Sequence, residues 1–365
     1  MRTDTRFVTL SMTLAAGLAL AAGTADLHAL TVIRYVRGMT VAALSTVGTF
    51  SQAYGINDRG EIVGAVGLAD GRRHAFRYAA GVMEDLNPAG YRSEARAINQ
   101  HSEIAGSAAF TPTGNQQPAT FSAGRAWPLP LPVGCSWWGA AAGLNDVGGM
   151  AGTGYPNSGC GSDAGLYWPS RFTVLPWYAN EASMRDVNDS GVAIGGYLAL
   201  IGKYRAIAQW RTIVTPLRVP FGVAGTDCNV YATDVNNAGV IVGQQSCADG
   251  SNHGLRWPSY DADAARIPMP SGWIRMSPTA LNEQGYVVGE ATKPTALGTT
   301  SFAFVWGSDI GGIELPPLSS RGLPCSAAGV SNLAGSRMSI AGSCKIGTTT
   351  RAVRWDVELG WLFVP

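Results

Sequence analysis

Three kinds of residue in this chain have types and spacings that invite chemistry: acidic side chains in polar turns, six cysteines, and aromatics placed ahead of strand-like segments. Asp58, Asp146 and Asp189 each follow an asparagine in such a turn. Paired carboxylates can serve as general acid and base, but nothing in the spacing gives two of these those roles. "DVNDSG" begins like a calcium loop and then lacks the later acidic ligands. There is no GxSxG nucleophile elbow, HExxH zinc motif or Gly-rich phosphate loop. His74, His101 and His253 are dispersed and no CxxC pair occurs. No catalytic residue, metal or cofactor is therefore assigned.

The aromatics are more informative. Phe50, Tyr91, Trp137, Trp138, Trp177, Tyr178 and Trp273 stand in the connections leading into successive strand-like segments, and Tyr155 lies in a long Gly-rich loop nearby. Aromatic side chains around a concave face suit stacking on sugar rings or anchoring a protein. Tyr91, Trp137, Trp138, Tyr155, Trp177, Tyr178 and Trp273 are the candidate binding residues. The competing reading is that they pack beneath their own loops.

What must position these residues is a repeat. "GINDRGEIVG", "AINQHSEIAG", "GLNDVGGMAG", "DVNDSGVAIG", "DVNNAGVIVG" and "ALNEQGYVVG" place Asn57, Asn99, Asn145, Asn188, Asn236 and Asn282 at intervals of 42 to 48 residues. A seventh copy, "GVSNLAGSRMSIAG", puts Ser331 or Asn332 in the Asn slot and has a longer turn. Asn opens a turn by accepting bonds from backbone N–H groups just ahead, and Gly three residues later tolerates positive φ. The flanking segments are short and β-branched, as strands should be. Ser102 replaces the turn Gly in the second copy. Each hairpin, near 53–64, 95–106, 141–152, 184–195, 232–243, 278–289 and 327–342, is followed by a third strand with an aromatic slot and then a short fourth strand. Tyr78, Trp168, Trp210, Trp257, Trp306 and Trp355 hold that slot, which predicts packing between units; Ser122 holds it in the second copy, which predicts the poorest packing there. Four-stranded units repeated in this way predict an all-β, seven-bladed β-propeller of four-stranded antiparallel blades, with residues 30–365 forming one domain. Ile33–Leu44 is similar to Phe76–Leu86, so the chain opens with an extra pair of third and fourth strands that can complete the last unit. The last unit also has its own copies, and which pair is used stays open.

The repeat also sorts the cysteines. Cys135 and Cys160, Cys228 and Cys247, and Cys325 and Cys344 flank the third, fifth and seventh hairpins, which predicts three disulfides across the open ends of those hairpins. Residues 1–29 read as a signal peptide, with Arg2 and Arg6 before an apolar run from Phe7 to Ala22. The mature chain has no second run of that length, so export without a membrane span is expected, to the exterior or the periplasm. A net charge of +1 without a Lys/Arg cluster gives no footprint for nucleic acid. A closed ring exposes no sheet edge that demands a partner, so a monomer is expected.

These copies resemble the HAF-type extracellular repeat of bacteria, named for a tripeptide that stands here as His74-Ala75-Phe76 after "INDRGEIVG". The resemblance covers Leu30 to Pro365 and implies an exported, propeller-like protein; it carries no established activity. "GSDAGLYW" is also similar to the Asp box of sialidases, but Gly161 replaces its serine and one copy exists, so chance is the better explanation. The expectation is a secreted, non-enzymatic binding or scaffolding propeller that recognises a glycan or extracellular protein by its loop face. The alternative is an extracellular propeller enzyme, a hydrolase or lyase acting on glycans, whose carboxylates meet only in three dimensions.

Overall fold

The computed structural model describes residues 31–44, 49–157, 161–210, 212–220, 227–296, 298–319 and 324–364. The expected signal peptide lies outside them. All regular structure among the described residues is β-strand. The first repeat shows the plan: Phe50–Ile56, Ile62–Gly67, Arg73–Ala79 and Val82–Asp85 form one antiparallel sheet in chain order.

The turn that begins each repeat is local chemistry. Asn57 Oδ1 accepts the N–H groups of Arg59 and Glu61, both at 3.1 Å, and Gly60 N–H reaches the Asn57 carbonyl at 3.0 Å. Gly60 sits at φ 73°, where a side chain would be strained. Ser102 takes the same left-handed turn at φ 63° and sends its hydroxyl to the Glu61 carboxylate of the preceding repeat.

The same asparagines also staple neighbouring repeats together. Asn57 Nδ2 donates to the Asn99 carbonyl at 3.1 Å, Asn99 to Asn145, Asn145 to Asn188, Asn188 to Asn236, Asn236 to Asn282, and Asn282 to Ser331. The following residue makes a second ring. The backbone N–H of Asp58 donates to Gln100 Oε1 at 3.0 Å, and the pattern continues through Asp146, Asp189, Asn237, Glu283 and Asn332. It closes where Asn332 N–H meets Asp58 Oδ1 at 2.7 Å, across 274 residues of chain. That closure makes the fold a β-propeller, and it explains why Asn is always followed by Asp, Gln, Asn or Glu.

Seven separate four-stranded blades are not what the sheets form. Five four-stranded blades stand as separate sheets, and the fifth and sixth repeats merge into one eight-stranded sheet. The fourth strand of the fifth repeat shrinks to Ala265–Arg266, leaving the third strand, Asn252–Trp257, bare at its start. Arg275 of the next repeat pairs there with Asn252 in parallel.

The closing blade also differs from expectation. Thr31–Ala43 is a single strand, not a pair, and lies antiparallel along Thr349–Val364 on the outer edge of the last blade. Among the described residues the last blade is ordered so that Thr349–Val364 is one long third strand and the N-terminal strand supplies the fourth. Arg34 anchors it: Nη1 donates to Tyr286 Oη at 2.7 Å and Asp309 Oδ2 at 3.1 Å, with the guanidinium 4.4 Å from the centre of the Trp361 ring.

The core is distributed between successive repeats. Val63 and Ala75 meet Ile98 and Phe121 of the second repeat, and Ile62 and Phe76 meet Ala341 and Ala352 of the last. Trp168, Trp257 and Trp355 are fully buried, and each Nε1 donates to a carbonyl of the repeat before, on Pro130, Arg218 and Pro316. Two details of the aromatic slot need correction. Trp210 is 42% exposed, so it does not fill an interface as its counterparts do. In the second repeat the residue opposite Ile104 is Phe121, which is buried; Ser122 lies one place beyond the slot.

Cys228 pairs with Cys247 and Cys325 with Cys344 as disulfides between directly opposed residues, Cα atoms 4.0 and 4.1 Å apart. Cys135 is disulfide-bonded too; its expected partner, Cys160, lies outside the described residues.

Candidate functional site

The innermost strand of every repeat carries a bulge, at Tyr54, Arg96, Ala142, Arg185, Thr233, Thr279 and Ala328. A bulge re-aims the side chain of the extra residue. Here all seven line an axial cavity of about 350 Å³. Side chains two residues apart share a strand face, so Trp138 and Ala140 lie on the less buried face of this strand, while Trp137 and Ala141 are buried in the interface.

The residue after each bulge lies against the next repeat's innermost strand. It is Gly55, Ala97, Gly143, Ala280 or Gly329 in five repeats; a Cβ on Gly55 would stand 3.2 Å from the Arg96 carbonyl oxygen. In the fourth and fifth repeats it is Asp186 and Asp234. These two carboxyls share a hydrogen bond. Burial raises the affinity of both for a proton, and the Asp186 charge raises that of Asp234 further. Such proton sharing could serve acid catalysis, but the oxygens are committed elsewhere. Asp186 Oδ2 accepts Val235 N–H at 3.1 Å while Oδ1 lies against Gly143. Asp234 accepts Val235 N–H at 2.8 Å and Leu281 N–H at 2.6 Å. The pair is a strut between innermost strands.

A second cluster joins the first two repeats. Glu94, buried, takes Arg73 Nε at 3.1 Å and Arg96 Nη2 at 2.8 Å, and Arg73 also donates to the Tyr54 hydroxyl. Burial, reinforced by the Glu94 charge, raises the Tyr54 phenol pKa above its ordinary value. Arg185 differs from these: it is exposed to the channel and makes no hydrogen bond or ion pair among the described residues.

The predicted aromatics do not converge on one patch. Trp138 stacks on Tyr155 of the adjacent strand, ring centres 4.3 Å apart and planes at 26°, and is 42% exposed. Trp177 meets Tyr197 edge-on at 5.6 Å and packs with Met184 and Tyr167. Trp273 meets Phe302 edge-on at 4.9 Å, half-buried against the sixth repeat. Tyr91 is exposed away from any of these contacts, and the Tyr178 side chain lies outside the described set. Trp273 also borders a larger flank groove of about 1130 Å³ between the sixth repeat and the closing blade. Among its cations, Lys293, Arg337 and Arg354 are already paired with Glu314, Glu358 and Asp356. Among the described residues no three His, Cys, Asp or Glu side chains are grouped to hold a metal. Sequence reasoning missed the channel arginines and the aspartate strut; the bulge that aims them has no local signature beyond small residues next to it.

The chain matches no protein-family model and no curated protein. Among solved structures it is similar to a gluconolactonase from Xanthomonas campestris, with 12% identity, a TM-score of 0.41 and 89% of this chain and 91% of that one covered. It is also similar to the Aleuria aurantia lectin, with 10% identity, a TM-score of 0.39 and coverages of 77% and 98%. A third likeness is to the Trypanosoma rangeli sialidase, at 7% identity and a TM-score of 0.43, covering 87% of this chain and 59% of that one. These similarities are too slight to carry any argument about activity.

Proposed function

We propose that this protein is a secreted, non-enzymatic binding propeller that takes a glycan or a protein at its loop end, and that it belongs with the HAF-type repeat proteins. The observation that carries the binding reading is the Trp138–Tyr155 stack: a flat, exposed aromatic surface on the strand that lines the axial channel. Tyr155 holds the indole in place, so little side-chain entropy is lost when a sugar ring or an apolar side chain lies on it. Export is supported by the two disulfides. Glycan-array screening of the secreted form, with Trp138→Ala beside it, tests the reading. Loss of the array signal with unchanged melting is expected. An unchanged signal in Trp138→Ala refutes the aromatic platform.

The enzyme alternative draws on the Asp186–Asp234 pair, whose shared proton is what an acid catalyst needs. Against it, both carboxyls already accept neighbouring backbone N–H groups. Release of reducing sugar by the wild type, abolished in Asp186→Asn, would reinstate it.

A further inference from the structure

We propose that two copies of this protein associate through the end of its last long strand, which pairs antiparallel with its twin across a two-fold axis at Leu362. The expectation of a monomer rests on a ring without a free sheet edge, and the closing blade has one. Pairing of Thr349–Val364 with Arg337–Ile346 stops at Glu358 opposite Arg337, whereas pairing with Thr31–Ala43 runs on to Val364 opposite Thr31. One more bond follows on the open side, from Leu359 N–H to the Ser336 carbonyl at 2.8 Å. Beyond it, residues 360–364 and 31–35 form a two-stranded ribbon, and the second edge of 360–364 has no strand partner among the described residues. Trp361 and Leu362, on the two faces of that ribbon, are 55% and 40% exposed.

What fits this edge is a second copy. Strand alternation turns the backbone N–H and C=O groups of residues 361 and 363 to the same side as Leu359 N–H. Two such edges laid antiparallel put residue 361 of each copy opposite residue 363 of the other, and each such pair exchanges both of its backbone bonds. The two Leu362 residues then face each other at a position without hydrogen bonds between them, where side chains stand closest. The segment reads "GWLFV", with no charge and no proline. The other outer edges are blunted in ways that discourage pairing. Arg125–Pro128, Thr173–Tyr178 and Ile213–Pro216 each contain proline, and Val82–Asp85 and Gly311–Glu314 contain carboxylates. Thr31–Ala43 carries Arg34, Arg37 and a bulge on its outer edge. Pairing over residues 360–364 alone buries less than the roughly 1,200 Å² of a stable interface, so the dimer is weak and concentration-dependent.

Sedimentation velocity of the secreted protein at about 1 to 100 µM should show a dimer that grows with concentration. Leu362→Lys sets two like charges at the axis and should raise the dimer dissociation constant by at least about tenfold, with melting unchanged. Leu362→Cys, oxidised with diamide, should cross-link into a covalent dimer. Directly opposed strand residues are what the native Cys228–Cys247 and Cys325–Cys344 bonds join, and the described native cysteines leave no competing free thiol. Val133→Cys, in the exposed connection between the second and third repeats, controls for random collision. A monomer at every concentration, association unaltered in Leu362→Lys, or cross-linking no faster at residue 362 than at residue 133 would each overturn the pairing. Cross-linking of the Leu362→Cys thiol to a different secreted protein would assign the edge to a foreign strand and overturn the second copy as its occupant.

Discussion

Replacing Asn188 by Ala separates the local from the inter-repeat work of the repeated asparagine. Asn188 Oδ1 accepts Val192 N–H at 3.0 Å and the Ser190 hydroxyl at 2.7 Å, while Nδ2 donates to the Asn236 carbonyl at 3.0 Å. Alanine leaves Val192 N–H and the Asn236 carbonyl without side-chain partners in buried surroundings. Each such orphan costs about 1–3 kcal/mol, so the variant should lose about 4 kcal/mol. Serine is the informative control, because the seventh repeat already uses it. Ser331 Oγ accepts Ser339 N–H at 2.9 Å and reaches no other repeat. Asn188→Ser should therefore keep the local bond, lose the staple and cost about 2 kcal/mol. Urea unfolding followed by tryptophan fluorescence gives both values. A loss under about 1 kcal/mol for alanine, or equal losses for alanine and serine, would refute the claim that the side chain holds two repeats together.

Three further outcomes follow from the same geometry. Burial alone would raise the Glu61 pKa, but hydrogen bonds from Ser102, Arg77 and Asn57 outweigh it and hold it at about 2. The stability it confers is present above the ordinary carboxylate range and lost as pH falls towards 2; Glu61→Gln should flatten that part of an acid-unfolding curve. For Asp234 the sign is reversed: its raised pKa makes stability fall as pH climbs above about 4, so Asp234→Asn should flatten the profile on the neutral side. At Ser102, Gly relieves the left-handed backbone while losing the bond to Glu61, whereas Ala loses the bond and keeps the strain. Thermal melting should therefore rank Ser102→Ala below Ser102→Gly by about 1 kcal/mol.

The hairpins were legible in the amino-acid order because their determinants are near neighbours: an Asn acceptor, a Gly able to adopt positive φ and β-branched flanks within ten residues. The Cys228–Cys247 and Cys325–Cys344 pairs follow from the same regularity. Strand-face parity was not legible. Trp137 and Trp138 are adjacent and alike in type, yet one is buried between repeats and the other stacks in the open, because the face of a strand that meets a neighbour is set by that neighbour. Ser122 illustrates the same point, since only the pairing of Ile104 with Phe121 reveals which residue occupies the slot.

What the sequence by itself determined is therefore the repeating unit, its turn and its disulfide-paired strands, all governed by interactions over a few residues or within one hairpin. The tertiary structure decided the merging of two repeats through Asn252 and Arg275, the closing strand at Thr31–Ala43, and the juxtaposition of Arg96, Ala142 and Arg185 around one axis. Those features depend on distances between residues dozens to hundreds of positions apart, and such distances exist only once the ring of hydrogen bonds has closed from Asn332 to Asp58.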